Sequence, residues 1–344
     1  MTVSAETMIG VTKLEAGRGH VALSERSRKY PGPGEVLLEV AGTGICGTDL
    51  HIWAGEYHSV PPVTIGHEIC GVVAGLGEGV EPEWLGKRVA VETYYSTCGR
   101  CRYCRGGRRN LCLERKSLGT HVDGGMAPWV VVPDINLHEV PDWVGDAPAT
   151  LSEPLACVCN SMMDPAVVEA GDAVLVIGPG AMGLLAAQVA RACGGTVTVR
   201  GTEADEVRLG IATELGFEVE VVGAGGAPTP AGPNVDVVIE CSGSEPGARY
   251  GFDVLRRGGA FVLVGLRGAD ITIRLDLVCF HEFAIRSGFA STAESWNTAM
   301  RLIWQKNVEL APLISEVLPL QEWEHAFNAS RAGRGVKYVL DPRR

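Results

Sequence analysis

Four cysteines follow the pattern Cys98-x2-Cys101-x2-Cys104-x7-Cys112, a spacing that lets one short loop wrap its sulfurs around a tetrahedral metal. Zinc accepts four thiolates at about 2.3 Å in a closed shell. The loop's glycines and arginines (Gly99, Arg100, Arg102, Arg105, Gly106, Gly107, Arg108, Arg109) supply tight turns and offset the thiolate charge. Two disulfides are the alternative, but adjacent Cys-x2-Cys pairs usually chelate, and nothing else in the chain looks secreted. A second group of reactive side chains is more scattered. Gly44-Ile45-Cys46-Gly47-Thr48-Asp49-Leu50-His51, Gly66-His67-Glu68 and Ser152-Glu153-Pro154-Leu155 offer a thiol, imidazoles and carboxylates. Each alone is ordinary; their combination beside a four-cysteine loop is specific.

A third constellation reads as a phosphate-binding turn, a glycine-rich structural turn being the alternative. Val174-Leu175-Val176-Ile177 reads as a buried strand and the run from Met182 to Ala192 as a helix. Between them stands Gly178-Pro179-Gly180-Ala181-Met182-Gly183. Gly178 permits the turn, Gly180 lets backbone approach a pyrophosphate, and Gly183 lets helix and strand pack closely. Free N–H groups at the helix start then face the phosphates of NAD or NADP. The next strand, Thr196 to Val199, ends in Arg200-Gly201-Thr202-Glu203. Arg200 leans the expectation toward the 2′-phosphate of NADP; Glu203 or Asp205 folding back to a ribose hydroxyl is the opposite reading.

These groups need elements to hold them. Residues 1 to about 160 carry short β-type runs broken by glycine and proline, such as Glu35–Val40 and Arg88–Glu92. From Ala173 strands and helices alternate, with apolar runs at Val235–Ile239 and Ala260–Val264 of the kind buried on both faces of a parallel sheet. Gly223 to Gly232 reads as a loop. After about Thr292 come helices at Trp296–Lys306 and Glu322–Ser330 and a strand at Lys337–Leu340, a tail expected to rejoin the first domain. The fold class is therefore α/β: a β-rich domain (1–160, with a zinc lobe at about 96–113), a doubly wound parallel-sheet domain of Rossmann type (161–292), and a return (293–344). The net charge of −11 disfavours a nucleic-acid partner. No apolar stretch is long enough to span a bilayer and no signal peptide is visible, so a cytoplasmic location and no membrane partner are expected.

Taken together, Cys46-Gly47-Thr48-Asp49, Gly66-His67-Glu68, the loop ending Asn110-Leu111-Cys112, Asp123-Gly124-Gly125, Glu153-Pro154-Leu155 and Gly178-x-Gly180-x-x-Gly183 resemble the zinc-dependent medium-chain dehydrogenase/reductase family. The resemblance is nearest to its sorbitol and threonine dehydrogenase-like branch and spans nearly the whole chain. It implies a GroES-like catalytic domain, a Rossmann domain and a homodimer or homotetramer. It also implies two zinc ions: a structural one on Cys98, Cys101, Cys104 and Cys112, and a catalytic one on Cys46, His67 and either Glu68 or Glu153.

One thiolate and one carboxylate already neutralise Zn²⁺, so one glutamate is expected at a time, Glu68 as the tighter ligand and Glu153 as the exchangeable one. The implied reaction interconverts a secondary alcohol of a polyol, sugar, cyclitol or amino alcohol with its ketone by hydride transfer to or from nicotinamide. Thr48 would bond the substrate oxygen and His51 would pass its proton to solvent. The stretch Glu92–Cys98 lacks a histidine that threonine dehydrogenases usually carry there. Trp53, Tyr57, His58 and Tyr94 would suit a multiply hydroxylated small molecule: a polyol, sugar or cyclitol. A catalytically silent dinucleotide sensor or structural subunit, or an epimerase acting by transient oxidation, are the alternatives.

Overall fold

The computed structural model describes residues 6–223 and 234–344. The loop expected at Gly223–Gly232 therefore lies, beyond Gly223, outside the described residues. The chain divides into two compact units, Met1–Glu153 with Ile314–Arg344, and Pro154–Leu313. The second crossing falls later than the expected 292. Side-chain bonds explain why: Gln188 donates to the Glu309 carbonyl at 3.1 Å and accepts from the Glu309 N–H at 2.6 Å, which ties the segment after the Ala293–Trp304 helix to the Ala181–Ala192 helix.

In the first unit a seven-stranded sheet is built around Glu35–Gly44, which pairs antiparallel with Glu68–Leu76 and with Trp129–Pro133. Its inward residues Val36, Leu38 and Val40 pack with Ile69, Val73, Val89 and Val91 in one fully buried cluster. That burial sets the register, because a slip of one residue would turn the apolar set to the other face. The register in turn gathers three chain segments at one end of the sheet. Gly44 lies opposite Glu68, and Val339 of the closing strand Lys337–Asp341 lies opposite Gly44. Cys46, Glu68 and Lys337 thus leave neighbouring strand ends. A second cluster, with Ile52, Ile65, Trp323 and Phe327, seats the Gly47–Ala54 helix.

The second unit holds six parallel strands in the order 218–222, 196–202, 173–177, 235–240, 255–263, 284–287. The strand order reverses between 173–177 and 235–240, and a doubly wound sheet binds its ligand beyond the strand ends at that reversal. Val174, Val176, Val237, Val238 and Ile239 are all buried, as continuous apolar runs in a covered parallel sheet require.

Candidate active site and dinucleotide site

The four loop cysteines are free thiols whose ligand atoms all lie within 4.8 Å of one another. Sγ separations are 3.9 Å for Cys98 to Cys104 and 3.6 Å for Cys101 to Cys104. A zinc tetrathiolate with bonds of about 2.3 Å has sulfur–sulfur edges of about 3.8 Å, whereas a disulfide needs about 2.05 Å. The geometry fits zinc and rules out the disulfide reading. Backbone N–H groups of Arg100 and Cys101 already favour the thiolate of Cys98, bringing its pKa down to about 6.

The scattered group converges in the first unit. Cys46 stands at the start of the Gly47–Ala54 helix, where its N–H donates to Asp49 Oδ2 at 2.9 Å in a capping arrangement. Asp49 is fully buried, and its other oxygen, which has no hydrogen-bond partner, lies 3.7 Å from His67 Nδ1. A carboxylate behind one imidazole nitrogen orients the ring and leaves the other for a metal. Burial opposes charge on His67, but the Cys46 sulfur and Asp49 outweigh it and lift its pKa well above the imidazole range. Burial pushes Asp49 up in turn.

His67 reaches this position through glycines. Gly66 has φ +93, and a Cβ there would meet Met126 and Thr43 at 2.7 Å. A Cβ on Gly124 would lie 2.0 Å from the Gly66 carbonyl. The Asp123-Gly124-Gly125 segment is therefore the mould for the turn that delivers His67.

The two glutamates have different partners. Glu153 is nearly buried and accepts from the Thr93 hydroxyl at 2.8 Å. Glu68 is 1 % exposed, and both its oxygens accept from Lys337 Nζ at 2.7 Å. The third Lys337 proton goes to the Ile45 carbonyl at 3.0 Å, so all three ammonium donors are used. Burial opposes this cation, yet Glu68 and Cys46 more than offset it and raise its pKa. Glu68, expected as the tighter metal ligand, is thus committed to a buried ammonium, and among the described residues only the four-cysteine group meets the 4.8 Å ligand spacing. Cys46, His67 and Glu153 thus bring a sulfur, an imidazole and a carboxylate close together, a donor set of the kind zinc takes.

Thr48 Oγ1 lies 3.7 Å from Cys46 Sγ. His51, one turn on, is half-exposed and pairs through Nδ1 with Glu56 at 2.8 Å. Tyr94, expected to face substrate, is instead 1 % exposed within the core. Trp53 packs edge-on against Trp323 and Phe327.

In the second unit Gly178 has φ +99, and a Cβ on Gly183 would sit 1.9 Å from the Gly178 carbonyl. The Ala181–Ala192 helix can approach its strand only without those side chains. A Cβ on Gly180 would meet nothing within 4 Å, so open space lies beside this glycine at the turn formed with Pro179, Ala181 and Met182. Arg200, expected at a 2′-phosphate, is 4 % exposed; its guanidinium pairs with Glu220 on the adjacent strand and stacks 3.5 Å from the Tyr250 ring centre. Asp205 caps Thr202, whereas Glu203 is exposed at the strand's end. The support for NADP that Arg200 gave in the sequence is therefore withdrawn.

Residues 32–142 match the model of the alcohol dehydrogenase GroES-like domain, and residues 181–305 that of the zinc-binding dehydrogenase. Sorbitol dehydrogenase of Halalkalibacterium halodurans is 38% identical over 97% of this chain and 99% of its own. D-arabitol-phosphate dehydrogenase of Enterococcus avium is 32% identical over 98% of each. A solved structure assigned as a zinc-binding dehydrogenase from Sinorhizobium meliloti 1021, bound to NADP, superposes with TM-score 0.88 at 32% identity, over 98% of this chain and all of that one. The chain belongs to the zinc-dependent medium-chain dehydrogenase/reductase family, in its polyol dehydrogenase branch. It is an oxidoreductase that interconverts a secondary alcohol and its ketone with a nicotinamide cofactor. Among the described residues no helix is long and apolar enough to cross a membrane.

Proposed function

We propose that this dehydrogenase oxidises a secondary hydroxyl of a polyol or sugar with Cys46, His67 and Glu153 as the ligands of a catalytic zinc, Glu68 being held off by Lys337. The carrying observation is the threefold use of the Lys337 ammonium, two of whose bonds go to Glu68. Zinc supplies a Lewis acid that acidifies the substrate hydroxyl. Three protein ligands leave the open position that such a role needs.

The chain's own residues do the rest. Asp49 holds the His67 ring, and Thr93 orients Glu153. The Thr48 hydroxyl accepts the departing proton and His51, anchored by Glu56, hands it to solvent. Gly178, Gly180 and Gly183 seat the pyrophosphate at the helix start. With Arg200 engaged elsewhere, Glu203 is assigned to the ribose hydroxyl and NAD is the preferred cofactor. A second zinc sits in the cysteine loop, two per chain. A homodimer or homotetramer is consistent with the strand Ala284–Ser287, which among the described residues pairs on one side only and carries the half-exposed Ile285. The silent-sensor and epimerase readings have no observation in their favour.

The test is an absorbance screen at 340 nm with NAD⁺ and NADP⁺ over polyols, sugars, cyclitols and amino alcohols. Turnover of polyols or sugars with NAD⁺ preferred is expected. Turnover confined to amino alcohols, or a preference for NADP⁺, would refute the substrate or the cofactor assignment respectively.

A further inference from the structure

His58, one of the residues expected at a hydroxylated ligand, meets a second histidine: its ring centre lies 5.8 Å from that of His121. The two stand on different loops of the first unit, joined where the Val60 N–H donates to the Thr120 carbonyl at 2.8 Å. His121 belongs to a tight turn in which the Ser117 carbonyl accepts from the N–H groups of His121 and Val122 at 2.9 and 3.2 Å.

That turn is wedged between the supports of two proposed zinc ligands. The Leu118 N–H donates to the Thr93 carbonyl at 2.9 Å, and the Thr93 hydroxyl in turn orients Glu153. Gly119, with φ +72, lies so near the residue before His67 that a Cβ on it would come 2.8 Å from the Gly66 carbonyl. His121, two residues on, therefore borders the proposed metal site.

The turn also fixes which ring nitrogen carries the proton. The Ser117 N–H donates to His121 Nδ1 at 3.3 Å, and the Thr120 hydroxyl lies 2.9 Å from the same nitrogen. A backbone N–H only donates, so Nδ1 accepts and the neutral ring bears its hydrogen on Nε2. The ring is half-buried, and Nε2 has no hydrogen-bond partner among the described residues. Burial, and then the charges of His58, Arg115 and Lys116, hold its pKa below the usual imidazole value, so the ring is neutral at pH 7. A neutral N–H beside two cations donates to an oxygen and disfavours an ammonium.

We propose that His121 is a specificity-determining residue whose Nε2–H bonds a hydroxyl on the carbon next to the one oxidised, selecting vicinal diols over amino alcohols. The inference rests on the zinc-ligand reading above, which sets the reacting carbon near His67 and Glu153.

Kinetics of the zinc-loaded full chain with NAD⁺ and with NADP⁺ use three alcohols of one carbon skeleton: butane-2,3-diol, 3-aminobutan-2-ol and butan-2-ol. Wild type is compared with His121→Leu and with His121→Gln, which keeps a side-chain N–H near the reach of Nε2. His121→Leu is expected to raise KM for the diol about tenfold with kcat little changed and to leave butan-2-ol within about twofold, while His121→Gln restores most of the loss. The preference for the diol over the amino alcohol should narrow in His121→Leu. Equal losses on all three alcohols in a folded variant, or an unchanged KM for the diol, would overturn the proposal. Histidine-selective nitrogen-15 NMR of wild type, assigned by the signals lost in His121→Gln, reads the same site without turnover. An Nε2–H tautomer whose signal moves on saturation with the diol is expected; an Nδ1–H tautomer, or a signal that stays in place, would overturn the proposal. A protein that oxidises none of the three alcohols yet shows the diol-dependent movement would sink the proposed activity and leave the donor site standing.

Discussion

Replacing Lys337 by Met tests the assignment of the two glutamates. The pair Lys337–Glu68 is 5 % and 1 % exposed with contacts of 2.7 Å, so it is little screened by solvent. At an effective dielectric of about 20 the attraction at that distance is about 6 kcal/mol. Removing one member of such a pair while leaving its charge buried costs about 3–5 kcal/mol of stability. The metal-free protein carrying Lys337→Met is therefore expected to lose about that much in denaturant unfolding of the first unit, and the double variant Lys337→Met/Glu68→Gln to recover much of it.

The same change frees Glu68 beside Cys46 and His67. In the metal-loaded variant Glu68 is expected to join the metal as a fourth protein ligand and close the open position. Metal content should stay near wild type, the visible bands of the cobalt-substituted protein should shift, and kcat should fall at least about tenfold. Unchanged bands together with a stability loss under about 1 kcal/mol would refute the reasoning, since Glu68 would then not depend on Lys337 for its place.

Two further outcomes follow from other parts of the chain. Cys104→Ser should lower the metal content by one ion per chain and cost more than about 3 kcal/mol of stability, while the remaining metal still supports turnover; metal analysis and activity per bound ion check it, and complete loss of turnover in folded protein would contradict a purely structural role for that loop. Asp123 accepts from Lys29 at 2.7 Å, the Thr64 N–H at 2.9 Å and Arg26 at 3.0 Å. Burial opposes its charge, but these partners prevail and hold its pKa below the usual carboxylate range. Its contribution is therefore fully present above about pH 4 and is lost as pH falls through the depressed value. Asp123→Asn should be less stable than wild type by about 1–2 kcal/mol at pH 7, with the gap closing in acid; a gap that does not change with pH would count against the ion pair.

Much of the chemistry was legible in the chain because it is written in short spacings. The four cysteines of residues 98–112 bend around one centre whatever the rest of the fold does, and the glycines at 178, 180 and 183 serve one turn between one strand and one helix. Element positions were readable for the same reason: the apolar run before Gly178 appears as the strand Ala173–Ile177, and the helix expected at Trp296–Lys306 spans Ala293–Trp304, moved upstream because Thr292 caps it. Arg200 was misleading because a residue's neighbours along a strand do not reveal which residue the adjacent strand sets beside it, here Glu220.

The sequence by itself determined which donors are present, thiol, imidazole and carboxylate, and that a dinucleotide turn follows them. Only the tertiary structure decided how those donors are shared. Lys337 stands 269 residues from Glu68 and meets it because the closing strand pairs with Glu35–Gly44. A buried carboxylate is committed by whichever cation the strand register places against it, and that register is a property of the whole sheet rather than of any motif.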